Sequence, residues 1–242
     1  MWTETTISGR PAEVFDPPDA KSESAVIYLH GYAGESLKEN EVWTSLFAKE
    51  RLRVVRPEGG PCWWLDALSP DFDDTQTPMS YLRHDVMSWI AEQWGARSPR
   101  VALLGVSMGG QGALNLAYRH GREFPVVAAL SPAIDFHRIY GEGFRVEAIF
   151  DDAEAARMET AVLNLHPMNW PRFQFFCSDP KDRLWHEGSE RLASKLSSSG
   201  VPFESDLRTS RGGHGWEYFN AMAEQAITFV SRSLDSIALE SL

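Results

Sequence analysis

A serine near the middle of the chain, and two aspartates and a histidine in its second half, have residue types and settings suited to acyl transfer. Ser107 lies in Gly105-Val106-Ser107-Met108-Gly109, behind the apolar run Arg100-Val101-Ala102-Leu103-Leu104 and ahead of a helix-like stretch. A serine between a strand and a helix sits on a turn so sharp that side chains two residues away would collide with it. Glycines at 105 and 109 relieve that crowding and leave the hydroxyl exposed, where it can attack a carbonyl. His214 lies in the glycine-rich segment Arg211-Gly212-Gly213-His214-Gly215-Trp216. An imidazole ordinarily titrates near neutrality, so it can take the hydroxyl proton and later return it to a leaving group. Asp179 and Asp182 follow an apolar run ending at Cys177, and a carboxylate there could hold the imidazole in one tautomer. Asp179 precedes Pro180 and reads as a turn initiator. Asp182 lies three residues further out with more reach to a loop histidine, so it is the preferred acid, with Asp179 the alternative.

Acyl transfer also needs donors for a developing oxyanion. The apolar strand Val26-Ile27-Tyr28-Leu29 runs into His30-Gly31-Tyr32-Ala33-Gly34. The backbone N–H groups of Met108 and Tyr32 are the two candidates, and pre-aimed donors of this kind contribute roughly 3–4 kcal/mol each to lowering a barrier. His30 is read as a support for that loop. The remaining histidines are scattered without ligand spacing, so no metal and no cofactor is expected. Tryptophans in loops after strands are the candidate pocket walls, namely Trp64, Trp185 and Trp216; packing of those loops against the sheet is the competing explanation. Trp63 and Trp64 would point to opposite sides of an extended segment, so one of the pair at most faces a pocket.

These groups need a scaffold that brings them to one edge. Strands are read near 3–8, 12–15, 25–30, 52–56, 101–105, 126–130, 172–177 and 203–207, and helices near 42–51, 79–94, 110–120, 153–165, 188–198 and 216–234. The alternation predicts an α/β fold with a mostly parallel sheet of about eight strands and helices on both faces. The short link at Gly9-Arg10 predicts an antiparallel hairpin at one edge. Open sheets of this type place functional groups at the carboxyl ends of the strands. The longest interval between late strands, within 134–169, is where a small lid would arise, and the whole of 1–242 reads as one domain.

With 242 residues, 43% of them hydrophobic, the chain can bury a sizeable core. Its formal net charge of −11 argues against nucleic acid and anionic membrane surfaces as partners. No basic start with an apolar run marks a signal peptide, and no stretch reaches the ~20 apolar residues of a membrane span. Two cysteines form no disulfide framework, so a cytoplasmic location is expected. Composition leaves the oligomeric state open.

The order Ser107, aspartate, His214 is that of α/β-hydrolase triads. The Gly105–Gly109 elbow, the His30-Gly31 loop, Asp182-Arg183-Leu184 and Gly213-His214 together resemble the α/β-hydrolase superfamily. Asp182-Arg183-Leu184-Trp185-His186-Glu187-Gly188 and Gly213-His214-Gly215-Trp216 are similar to its putative-esterase (esterase D-like) group. The resemblance implies Ser107 as nucleophile, His214 as base, Asp182 as acid, and hydrolysis of a short-chain ester or thioester through an acyl-enzyme. An acyltransferase using the same residues and a non-catalytic ligand-binding homologue are the alternatives. The run of several glycines that follows His-Gly in lipases is absent, since Tyr32 and Ala33 stand there.

Overall fold

A computed structural model describes residues 1–21, 23–166 and 168–240. Of the span expected to supply a lid, Pro167 lies outside them. Eight strands form one sheet in the order β1-β2-β4-β3-β5-β6-β7-β8. They are β1 (Trp2–Ile7), β2 (Arg10–Phe15), β3 (Ala25–Leu29), β4 (Val54–Pro57), β5 (Val101–Val106), β6 (Val126–Leu130), β7 (Phe173–Cys177) and β8 (Glu204–Asp206). The β1–β2 hairpin and the β2–β4 pair are antiparallel, and every other pairing is parallel. This is the mostly parallel α/β architecture that the strand–helix alternation predicts, and the α/β-hydrolase fold that the resemblance implies.

Central strands β3, β5 and β6 are buried throughout because helices cover both faces. Alternate residues divide between two layers. Val26, Tyr28, Ala102 and Leu104 pack with α1 (Glu41–Lys49) and α8 (Trp216–Glu240). Ile27, Leu29, Val101 and Leu103 face the opposite layer, which holds α4 (Met108–Arg119) and α7 (His186–Ser198). On α8, Met222, Ala223, Ala226, Ile227, Val230 and Leu234 form the apolar stripe that grips the sheet. Among the described residues no helix is long and apolar enough to cross a membrane.

Three elements differ from the sequence expectation. The segment read as a helix near 79–94 is α2 (Pro78–Tyr81) and α3 (Met87–Trp94), joined by a π-helical turn over Leu82–Val86. The segment near 153–165 is two short helices, α5 (Ala153–Met158) and α6 (Ala161–Asn164). The Glu159 carbonyl between them accepts from Asn115 Nδ2 at 2.9 Å, and Thr160 Oγ1 donates to Arg157 O. Tertiary and capping bonds thus claim the groups that a continuous helix would use. Helix α4 starts at Met108, ahead of the expected Gly110, because Ser107 already supplies its first backbone acceptor to Gln111 at 3.0 Å.

Where α4 meets β3, the fold tolerates no side chain. A Cβ built on Gly109 would lie 2.0 Å from the Leu29 carbonyl oxygen, backbone against backbone. Gly109→Ala is therefore expected to lose at least ~3 kcal/mol of stability. Urea unfolding checks this, with Gly215→Ala as control because its Cβ would meet nothing within 4 Å.

Candidate active site

Strand β5 delivers Ser107 directly into α4. Its backbone takes φ 54° and ψ −118°, outside the regions open to ordinary residues, at a cost of order 1–3 kcal/mol. The peptide is held there on both sides: Ser107 N–H donates to Leu130 O at 2.9 Å, and its carbonyl accepts from Ala133 N–H at 3.0 Å. A Cβ on Gly105 would come within 2.3 Å of the Gly109 carbonyl oxygen, so both elbow glycines are required by close backbone approach.

The loop after β7 carries Asp182. Its carboxylate is 1% exposed, and Oδ1 accepts from the N–H groups of Leu184 and Trp185 at 3.2 and 3.1 Å. Oδ2 faces His214 Nδ1 at 2.7 Å, and His214 Nε2 lies 2.9 Å from Ser107 Oγ. An ionised carboxylate only accepts, so Nδ1 carries the proton and Nε2 presents its lone pair to the serine hydroxyl. The imidazole is 30% exposed and meets the Phe219 ring edge-on at 5.4 Å, with Trp185 at 6.5 Å. Ser107, Asp182 and His214 are thus brought together.

Asp179 is fully buried and has a different set of partners. Oδ1 accepts from Lys181 N–H at 2.8 Å, and Oδ2 accepts from Gly213 N–H at 2.9 Å and from Arg211 N–H. Burial disfavours its charge, but these N–H groups outweigh that and lower its pKa from 3.8 to about 2. The expected turn-initiating role therefore accounts for Oδ1 alone; Oδ2 reaches across to the histidine loop.

Tyr32 and Met108 both border the cavity beside Ser107. Neither backbone N–H has a hydrogen-bond partner among the described residues. For Met108 this follows from its place at the start of α4. A Cβ on Gly31 would stand 3.6 Å from Ser107 Cβ, so the His30 loop abuts the serine. His30 braces that loop: Nδ1–H donates to Gly31 O at 2.7 Å, and Nε2 accepts from Gly59 N–H at 3.1 Å.

A cavity of about 370 Å³ opens over Ser107, walled by Tyr32, Trp63, Phe144, Trp185, Trp216 and Phe219. Trp185 and Trp216 stand where the sequence put them, but Trp64 does not. Trp63 and Trp64 both adopt left-handed backbone, with φ 58° and 53°, so the alternation of an extended segment does not apply. Trp64 is driven into the core against Gly112, whose added Cβ would lie 2.3 Å from Trp64 Cβ, and its Nε1–H donates to His30 O at 3.2 Å. Trp63 turns to the cavity, stacking on Phe136 at 4.9 Å and donating from Nε1 to Phe144 O at 3.0 Å. Sequence reasoning missed Phe144, on an irregular segment with no periodic signal. It also missed Phe219, which lies three residues after Trp216 on the same face of α8 and could have been read from that spacing. Among the described residues no three His, Cys, Asp or Glu side chains converge as a metal site requires.

Comparison with known proteins shows the family and the fold. The "Putative esterase" family model matches residues 9–228. An acetyl esterase of Caldicellulosiruptor saccharolyticus is 21% identical over 244 residues, covering 90% of this chain and 86% of that one. An S-formylglutathione hydrolase from Agrobacterium tumefaciens superposes with TM-score 0.77 at 17% identity, covering 97% and 94% of the two chains. Another, from Staphylococcus aureus, superposes with TM-score 0.78 at 16% identity, covering 96% and 98%.

The depressed Asp179 carboxyl makes a signed prediction about acid stability. A carboxyl at about 2 when folded and 3.8 when free stabilises the fold fully above pH ~4, and the contribution is lost as pH falls through 2. Asp179→Asn removes that titration. The gap in Tm between the native protein and this variant is expected to narrow as pH is lowered from 5 towards 2, which thermal unfolding across that range checks.

Proposed function

The chain belongs to the putative-esterase family, and from that premise we propose that it hydrolyses a short-chain carboxylic ester or thioester through an acyl-enzyme on Ser107. The observation that carries this reading is the commitment of His214 Nδ1 to Asp182, which leaves Nε2 as a base 2.9 Å from Ser107 Oγ. Ser107 Oγ attacks the carbonyl carbon while its proton passes to Nε2. The N–H groups of Tyr32 and Met108 receive the oxyanion. Collapse breaks the bond to the leaving alkoxide or thiolate, which takes the proton from the imidazolium. A water then gives its proton to Nε2, attacks the acyl carbon, and releases the acid with Ser107 restored. No step calls on a cofactor.

Aromatic walls favour an uncharged ester, because they offer stacking and exclude water, which strengthens the hydrogen bonds at the serine. The similarity to an acetyl esterase supports a small acyl group. We read residues 136–150 as the lid. Phe144 lines the cavity, and that segment is tied down by the Trp63 bond to Phe144 O and by the paired Arg145–Asp71 bonds at 2.7 and 2.8 Å.

Intact mass after brief fluorophosphonate treatment tests the mechanism. One adduct is expected on the native chain and none on Ser107→Ala, which should also lose roughly 10³-fold or more of kcat. Turnover retained by Ser107→Ala would overturn the reading. Product analysis with added alcohols would expose an acyltransferase as ester product in place of free acid. Asp182→Asn is expected to cut kcat by about 10⁴-fold, because the amide permits the wrong imidazole tautomer. Steady-state kinetics on a small aryl acetate checks it.

A further inference from the structure

We propose that Asp179 is a positioning residue for this reaction: its buried carboxylate ties the loop carrying His214 to the loop carrying Asp182 and so sets the imidazole against Ser107. The proposal rests on the triad reading above. Asp179 is anchored on one side to the sheet and to the acid. Ser178 N–H donates to Asp206 O at 3.1 Å, joining the ends of β7 and β8, and Asp182 N–H donates to Asp179 O at 2.9 Å. On the other side, Oδ2 takes the N–H groups of Arg211 and Gly213. Gly212 and Gly213 lie at φ +81° and +87°, a left-handed pair that turns alternate N–H groups towards one anion.

What makes this more than loop packing is the lack of other restraints. Among the described residues no backbone–backbone hydrogen bond holds residues 210–214, and their backbone N–H groups bond only to Asp179. The imidazole itself is part-exposed, with a single polar contact behind it at Asp182. Gly215 beyond it is held by Phe219 N–H at 3.0 Å and Thr209 before it by Asp206, so without the Asp179 carboxylate the stretch 210–213 that leads into His214 loses its backbone tethers. An asparagine would not substitute, since it has one acceptor oxygen where the site needs acceptors on two sides.

Asp179→Asn is expected to lower kcat by about 10–10²-fold, the scale on which misplacement by an ångström acts. KM for a small neutral ester should stay within about twofold, since the cavity walls are untouched. The downfield proton NMR signal of His214 Nδ1–H against Asp182 should be lost or broadened, while Ser107→Ala keeps it. An unchanged Nδ1–H signal in folded Asp179→Asn, or a rise in KM at unchanged kcat, would overturn the proposal. Failure of the native protein to react with a fluorophosphonate would instead sink the triad reading, and the NMR comparison, which needs no turnover, would still decide the tether. Should Asp179→Asn not fold, amide exchange in the native protein decides. Gly213 N–H should exchange at least about tenfold more slowly than the N–H groups of Gly212 and Gly215, which have no partner among the described residues. Equal rates would overturn the tether.

Discussion

The contact between the backbone of Gly109 and the last carbonyl of β3 is the constraint on which the rest of the molecule depends. Helix α4 presses its first turn against Leu29 so closely that a Cβ at 109 would sit 2.0 Å from the carbonyl oxygen. That approach leaves one residue, Ser107, to absorb the change from strand to helix, and it does so at positive φ. The same approach brings the His30–Tyr32 loop alongside the serine and lets Trp64 seat on Gly112 one turn further along α4. A strain of order 1–3 kcal/mol at Ser107 persists because the buried strands β3, β5 and β6 and the covering helices over-determine it. An unstrained turn would serve the fold equally well, so the outlier points to the hydroxyl it exposes.

Topology then decides which loops can meet that hydroxyl. In a parallel sheet all carboxyl ends lie on one edge. Tyr32 follows β3, beside β5, so its loop needs no reach to stand next to Ser107. His214 follows β8, three strands from β5, a lateral distance of roughly 14 Å at the usual strand spacing. The loop between Asp206 and Trp216 must span that gap; Asp206 orders its first residues through Arg208 and Thr209, and its glycine-rich second half is held by Asp179. Asp182, after β7, stands between the two and meets the imidazole part-way. Reach is obtained with flexible residues, and precision is recovered by buried carboxylates.

Much of this was legible in the residues. The central strands follow from apolar runs, because parallel strands buried on both faces leave a continuous signal, and the part-exposed edge hairpin follows from turn chemistry. Ser107, His214 and an aspartate after β7 could be picked out because the elbow and the glycine loops are backbone requirements written into composition. The cavity wall was less accessible. Trp63 and Trp64 exchange their expected sides because two successive left-handed residues replace the period of two. Phe144 sits on an irregular segment positioned by tertiary contacts such as the Arg145–Asp71 pair, and periodicity carries no such information. The break at Glu159 is of the same kind: local propensity favours one helix, and Asn115 on a distant element takes the carbonyl.

Asp179 and Asp182 show how far residue type falls short of role. Both are buried aspartates on one short loop, three positions apart, and from the sequence only reach and the proline after Asp179 distinguish them. Hydrogen-bond capacity separates them in the fold. Asp182 spends one oxygen on the N–H groups of Leu184 and Trp185 and keeps the other for the imidazole. Asp179 turns both oxygens to backbone N–H groups, Oδ1 to Lys181 and Oδ2 to Arg211 and Gly213, so neither faces the imidazole. Those amides also hold its carboxyl pKa at about 2, whereas the carboxylate facing the imidazole accepts Nδ1–H and keeps the ring in one tautomer while the moving proton passes at Nε2. In this fold the two roles fall to two side chains. A loop that both carries the acid and steadies the base across a three-strand gap therefore uses two carboxylates.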